Sequence, residues 1–145
     1  MKKAQFSFIC SNLSHLSDYA KSVDTPIFRL LKAALPGQYT FILQASKLVP
    51  KMMKTKKDAV GIRIPDNKIC QNIVQELGHP IMSASLPMDE DVPYLTDPDV
   101  MHDIFGNLVD IVIDGGIGNT LASTIVDCTS GAPELIREGA GKVIW

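Results

Sequence analysis

The sequence predicts a mixed α/β fold of the α+β kind, with a twisted mixed β-sheet and flanking helices. Three observations carry this expectation. Short runs of apolar, β-branched and aromatic residues alternate with amphipathic segments along the whole 145-residue chain. Capping residues, prolines and glycines fall between those segments, where helices and strands must start and stop. The composition, 46% hydrophobic and 21% charged, is that of an ordinary globular chain of single-domain length.

Taken in order, Gln5–Cys10 reads as a strand apolar enough to lie inside a sheet. Ser14 can cap a short helix running to Ala20. Thr25-Pro26 reads as a cap followed by proline at the first helical position, and Ile27, Leu30, Leu31 and Ala34 then form a helical stripe that Pro36-Gly37 stops. Tyr39–Ala45 and Ala59–Ile64 are expected strands. Asp66 can cap the next helix, whose stripe is Ile69, Cys70, Ile73, Val74 and Leu77, with Gly78 ending it. Ile81–Ser85 is a short strand. Asp97-Pro98 repeats the cap-plus-proline signal, before a helix expected to bury Val100, Met101, Ile104 and Phe105. Val109–Ile113, Thr124–Cys128 and Glu134–Arg137 complete about seven strands and four helices. Such an interleaving favours a mixed sheet covered by helices.

Charge and motif content exclude several classes. The formal net charge is −2, so there is no strongly basic nucleic-acid arm. No apolar run reaches the ~18 residues of a membrane span, and no 7–15-residue apolar region follows Lys2-Lys3, so the chain reads as cytoplasmic. Cys10, Cys70 and Cys128 are an odd number at wide spacing and read as buried, reduced thiols, not a disulfide frame or zinc knuckle. His15, His79 and His102 form no metal-binding pair, and Asp89-Glu90-Asp91 through Asp103 reads as a solvated acidic loop and helix start. Phosphate-loop, nucleophile-elbow and dinucleotide glycine motifs are absent.

The candidate chemistry lies in polar residues within apolar strands. In Val60-Gly61-Ile62-Arg63-Ile64, alternation puts Gly61 and Arg63 on one face. That pairing suits a carboxylate or phosphate approaching the backbone, or an arginine paired with an acid on a solvated face. Ser83 and Ser85 point the same way at a strand end, which suits a phosphate or ribose, or small residues packed beneath a helix. Thr40 opens a strand after the Pro36-Gly37 turn. Asp114-Gly115-Gly116, Ser123-Thr124 and Arg137-Glu138-Gly139 could surround an anion or could be plain turns. Lys47, Lys51, Lys54, Lys56 and Lys57 place five lysines in eleven residues, either a solvated face or a contact for RNA phosphates.

In this order, Phe28-Arg29-Leu30-Leu31-Lys32, Leu35-Pro36-Gly37-Gln38-Tyr39-Thr40, Val60-Gly61-Ile62-Arg63-Ile64-Pro65, Ser83-Ala84-Ser85, Asp114-Gly115-Gly116, Ser123-Thr124-Ile125-Val126-Asp127 and Ile136-Arg137-Glu138-Gly139-Ala140-Gly141 resemble the YrdC/Sua5/YciO family of threonylcarbamoyl-AMP synthases. The match covers nearly the whole chain, and Ser83-Ala84-Ser85-Leu86-Pro87 is similar to the YciO branch. The resemblance implies a twisted mixed sheet around a positively charged concavity. It implies a reaction of threonine, bicarbonate and ATP, the last with Mg²⁺, giving threonylcarbamoyl-AMP and pyrophosphate. A separate transferase complex would then modify adenosine in tRNA. By position, Thr40, Arg63 and Ser123 would contact threonine, and Ser83, Ser85 and Arg137 would contact ATP. No tightly bound cofactor or protein-held metal is implied. Double-stranded RNA or tRNA binding through Lys51, Lys54, Lys56 and Lys57 is the alternative role.

Against the family pattern, a strand–helix–strand opening with its Lys-x-Arg motif is missing upstream of Gln5–Cys10, and no Sua5-type C-terminal domain follows. The expectation is therefore a single YrdC-like domain over 1–145, incomplete at its N-terminus. Its first strand should lack partners, leaving the chain marginal in stability and weak in activity. Two geometric expectations follow from the site. Arg63 should line the main cavity beside Gly61, and Ser83, Ser85, Ser123 and Arg137 should surround one anion-sized space.

Overall fold

The computed structural model describes residues 6–86, 96–119 and 121–145. The chain forms two compact units, Met1–Ala84 with Ser123–Trp145, and Ser85–Ala122. The first unit holds one six-stranded sheet. Its strands are β1 (Ser7–Ile9), β2 (Tyr39–Gln44), β3 (Ala59–Arg63), β4 (Ile81–Ser83), β5 (Thr124–Asp127) and β6 (Glu134–Arg137), in the spatial order β4-β1-β3-β2-β5-β6. The β1–β3 and β2–β5 pairs are parallel; β1–β4, β2–β3 and β5–β6 are antiparallel. The sheet is therefore mixed, as the sequence predicts.

The first strand corrects one expectation. Within the described part of Gln5–Cys10, β1 has a partner on each side, β3 and β4. Phe8, Ile9 and Cys10 are buried. The antiparallel β4, returning from the third helix, supplies the backbone partner that the sequence reading left unassigned.

Pairing alternation divides the sheet into two faces. Phe8, Ile62, Phe41 and Val126 lie side by side across β1, β3, β2 and β5 and are all buried. Helix α2 (Thr25–Ala34) adds Ile27, Leu31 and Ala34 to this core, at the positions its stripe predicts. The opposite face carries Ser7, Gly61 and Ile42 in one row, and it is where the polar residues collect.

Helix ends follow capping chemistry, sometimes one residue from the expected cap. Asp24, not Thr25, accepts from the Ile27 amide, so Thr25 and Pro26 are the first helical residues. Asn67, not Asp66, caps α3 (Lys68–Leu77) by accepting from the Ile69 and Cys70 amides. Asn12, not Ser14, caps a 3-10 turn at Leu13–His15 that leads into α1 (Leu16–Tyr19). Gly78 closes α3 in the left-handed region, φ 77°, where a glycine carries no side-chain penalty.

In the second unit, Asp97 caps α4 (Pro98–Phe105) as predicted. Two expectations fail here. Val100 and Ile104 are exposed, and Val109–Ile113 forms no strand, with Val109, Ile111 and Ile113 exposed. An apolar run specifies a strand only where a neighbouring edge accepts its backbone bonds, and none does so at this run. The acidic Asp89-Glu90-Asp91 stretch lies outside the described residues. No helix among the described residues is long and apolar enough to cross a membrane.

Candidate functional site

The polar face of the sheet builds the site. Ile9 pairs with Arg63, and Thr40 with Ile125, which in turn pairs with Arg137. Continuing the Phe41–Ile62 pairing by one residue sets Thr40 opposite Arg63. Side chains opposite one another share a face, so Arg63, Thr40 and Arg137 stand in one row. Ser123, one residue before β5, closes the group. Its hydroxyl lies 2.9 Å from the Thr40 hydroxyl. Arg137 donates to the Ser123 carbonyl from Nε at 3.1 Å and from a terminal nitrogen at 2.8 Å, and that nitrogen lies 3.4 Å from the Ser123 hydroxyl.

A β-bulge aims Arg137. Asp127 pairs with Glu134 and Val126 with Leu135, so an unbroken register would set Ile136 opposite Ile125 and turn Arg137 toward the apolar face. The register shifts between Val126 and Ile125, and Arg137 becomes the partner of Ile125. One extra residue thus moves the guanidinium onto the polar face.

The electrostatics bring a partly desolvated guanidinium near a second cation. The Arg63 Nε is buried and has no hydrogen-bond partner. Burial pushes the Arg63 guanidinium below its ordinary range; the nearby Cys70 sulfur opposes this and the positive Arg137 adds to it. Among the described residues the ion pair within 4.0 Å is His15–Asp18, so neither arginine is neutralised by a carboxylate there. A desolvated donor beside a second cation is costly until a negative group arrives. Gly61 lets Ser7 and Thr40 pack closely on that face. A Cβ there would stand 3.2 Å from the Ser7 Cβ and 3.3 Å from a Thr40 methyl carbon.

The other predicted residues fall elsewhere. Ser83 sits on edge strand β4, paired with Ser7; their hydroxyls are 3.0 Å apart, and the Ser83 hydroxyl lies 3.1 Å from the Ser7 carbonyl. It shares the polar face, but five strand spacings separate β4 from β6, about 24 Å along a flat sheet. Hence Ser123 and Arg137 meet, while Ser83 contacts neither of them. Ser85 is exposed and belongs to the second unit. Sequence spacing carried no strand order, so it could not separate these residues. Ser7 was missed, although a lone hydroxyl between Phe6 and Phe8 is the same signal that marked Ser83.

Arg63 is not among the residues that line two cavities of the first unit. A cavity of about 360 Å³ is lined by Lys21, Gln44, Lys57, Asp58, Thr129 and Ser130. Another, of about 170 Å³, lies between Cys10–Asn12 and the end of α3. Lys51, Lys56 and Lys57 are exposed and Lys54 half-buried in the connection between β2 and β3. Cys10 and Cys128 are buried, and burial raises both thiols to about 11; Cys70 is half-buried.

The Sua5/YciO/YrdC family profile, described as telomere recombination, matches residues 1–139. The chain belongs to this family. An uncharacterized protein of Haemophilus influenzae is 41% identical over 139 residues, 94% of this chain and 67% of the relative. A threonylcarbamoyl-AMP synthase of Pyrococcus abyssi is 28% identical over 132 residues, 89% of this chain and 38% of that enzyme. Among solved structures, Escherichia coli YciO superposes with a TM-score of 0.87 at 37% identity, covering 97% of this chain and 68% of YciO. The P. abyssi Sua5 structure complexed with L-threonine gives 0.82 at 25% identity, covering 94% of this chain and 40% of Sua5. The chain thus spans about two thirds of its YciO-type relatives.

Proposed function

We propose that this chain carries an L-threonylcarbamoyladenylate synthase site serving tRNA threonylcarbamoyladenosine modification in the cytoplasm. The observation that carries the reading is the buried, unpartnered Arg63 Nε beside a second guanidinium. Arg63 binds the threonine carboxylate, and the Thr40–Ser123 hydroxyl pair holds the polar end of the amino acid. The threonine amine and bicarbonate give a carbamate with loss of water. The carbamate oxygen attacks the α-phosphorus of ATP, and pyrophosphate leaves. Arg137, anchored on Ser123, faces the phosphates, where charge builds on the departing pyrophosphate. Among the described residues no three His, Cys, Asp or Glu side chains gather as a metal cage. Mg²⁺ enters with the triphosphate as part of the substrate. The product passes to a threonylcarbamoyl-transferase complex.

Pyrophosphate release that requires ATP, L-threonine and bicarbonate together tests this reading, with the adenylate identified by mass. Release without threonine, or none at all, contradicts it. The exposed Lys51, Lys56 and Lys57 favour a second reading, a non-catalytic module for double-stranded RNA or tRNA. Salt-sensitive RNA binding without pyrophosphate release would select it.

A further inference from the structure

A second basic site stands at the other end of β2. Gln44 follows Thr40 by four residues, about 13 Å along an extended strand, and projects from the same face. There it helps line the 360 Å³ cavity with Lys21, Lys57, Asp58, Thr129 and Ser130. Hydrogen bonds fix the frame. The Lys21 amide donates to the Gln44 carbonyl at 2.9 Å, and the Ala45 amide to the Asp58 carbonyl at 2.8 Å. Gln44 Nε2 donates to the Thr129 carbonyl at 3.1 Å. The Thr129 amide and hydroxyl both donate to the Asp127 carboxylate, at 2.9 and 2.6 Å.

This frame consumes the Gln44 amide and the Thr129 donors but leaves both ammonium groups free. Among the described residues neither Lys21 nor Lys57 forms an ion pair. The two lysines come from separate connections, α1–α2 and β2–β3, and converge on one concavity that Asp58 also lines, while the neighbouring Asp127 carboxylate is occupied by the Thr129 donors. We propose that this cavity is a phosphate site for a small phosphate-bearing molecule, separate from the anion site at Arg63 and Arg137. Its volume admits a diphosphate, and two lysines meet such a group as point charges.

Inorganic pyrophosphate titrated at low ionic strength is the probe, read from amide chemical shifts of Lys21, Thr129 and Ser130, which report this cavity apart from the arginine site. We expect saturable shifts, weakened about fivefold or more by Lys21→Ala and by Lys57→Ala. Asp58→Asn should tighten binding, because it removes the opposing charge, and asparagine accepts the positive φ of 53° found there. Arg63→Ala should leave these shifts unchanged, so failure here is distinct from failure of the synthase reading. Unresponsive amides, indifference to the lysine substitutions, or no tightening in Asp58→Asn would overturn the proposal. So would shifts produced by an RNA duplex and not by pyrophosphate, which would make the lysines a nucleic-acid contact.

Discussion

Arg63 shows how much one position can disclose. Its place in an apolar strand beside Gly61 and the family resemblance both mark it, and alternation correctly puts it on the polar face. Neither reveals that its Nε is buried without a partner, because that depends on which neighbouring strands flank β3. Arg63→Ala should weaken L-threonine binding roughly 10- to 100-fold, the loss of a charge-assisted hydrogen bond of about 1.5–3 kcal/mol, without lowering the melting temperature. Arg63→Lys should restore little, since a lysine cannot reproduce a planar two-pronged contact. The cysteines give a residue-scale test of the fold. Burial raises Cys10 and Cys128 from 9.0 to about 11, so both are held as neutral thiols in the folded chain. A folded pKa above the unfolded one gives stability that is present below pH 9 and lost as pH rises through 11. Thermal melts should fall across that window. Thiol labelling at pH 8 should modify Cys70 first, with Cys10 and Cys128 reacting only on unfolding.

At the scale of elements, local signals are legible and partnerships are not. Helix α2 and strands β2, β3 and β6 lie where periodicity and breakers put them, because each carries its own stripe or alternation. The run Val109–Ile113 has the composition of a strand and no edge to join. The bulge in β6 is equally hidden: Glu134–Arg137 reads as a strand, but the shift that aims Arg137 exists only against β5. Deleting Ile136 should remove the extra residue and leave Arg137 opposite Ile125 in an unbroken register, still on the Ser123 side. The expected outcome is that ATP-dependent pyrophosphate release survives this deletion, whereas Arg137→Ala abolishes it with L-threonine binding retained at Arg63. Thr124 tests the neighbouring strand. It is fully buried, its hydroxyl donates to the Gly141 carbonyl at 2.6 Å and accepts from the Gly139 amide at 2.9 Å. Thr124→Val should cost about 1–3 kcal/mol in denaturant unfolding, because the Gly139 amide and Gly141 carbonyl lose their shared partner.

For the whole molecule, the core follows from the sequence and the surface does not. The apolar positions of β1, β2, β3, β5 and α2 form one cluster, so the pattern of hydrophobic residues was enough to place the inside of the first unit. Among the described residues β1 carries no unpaired flank, since β3 and β4 pair it on either side. The most exposed large apolar residues lie in the second unit, where Leu108, Ile111 and Ile117 are each more than three-quarters exposed. Side chains of that kind promote association when they cluster or become accessible. Light scattering should show concentration-dependent self-association that Ile111→Ser reduces, with the melting temperature unchanged because this residue is not part of the core.

The central claim is that Arg63 and its neighbours on the polar sheet face hold an amino-acid carboxylate. Calorimetric titration of the purified chain with L-threonine, beside folded Arg63→Ala, tests it most directly. Saturable binding by the native chain is expected, with a loss of at least about tenfold in the variant. Equal binding by both proteins, or none by the native chain, would contradict it.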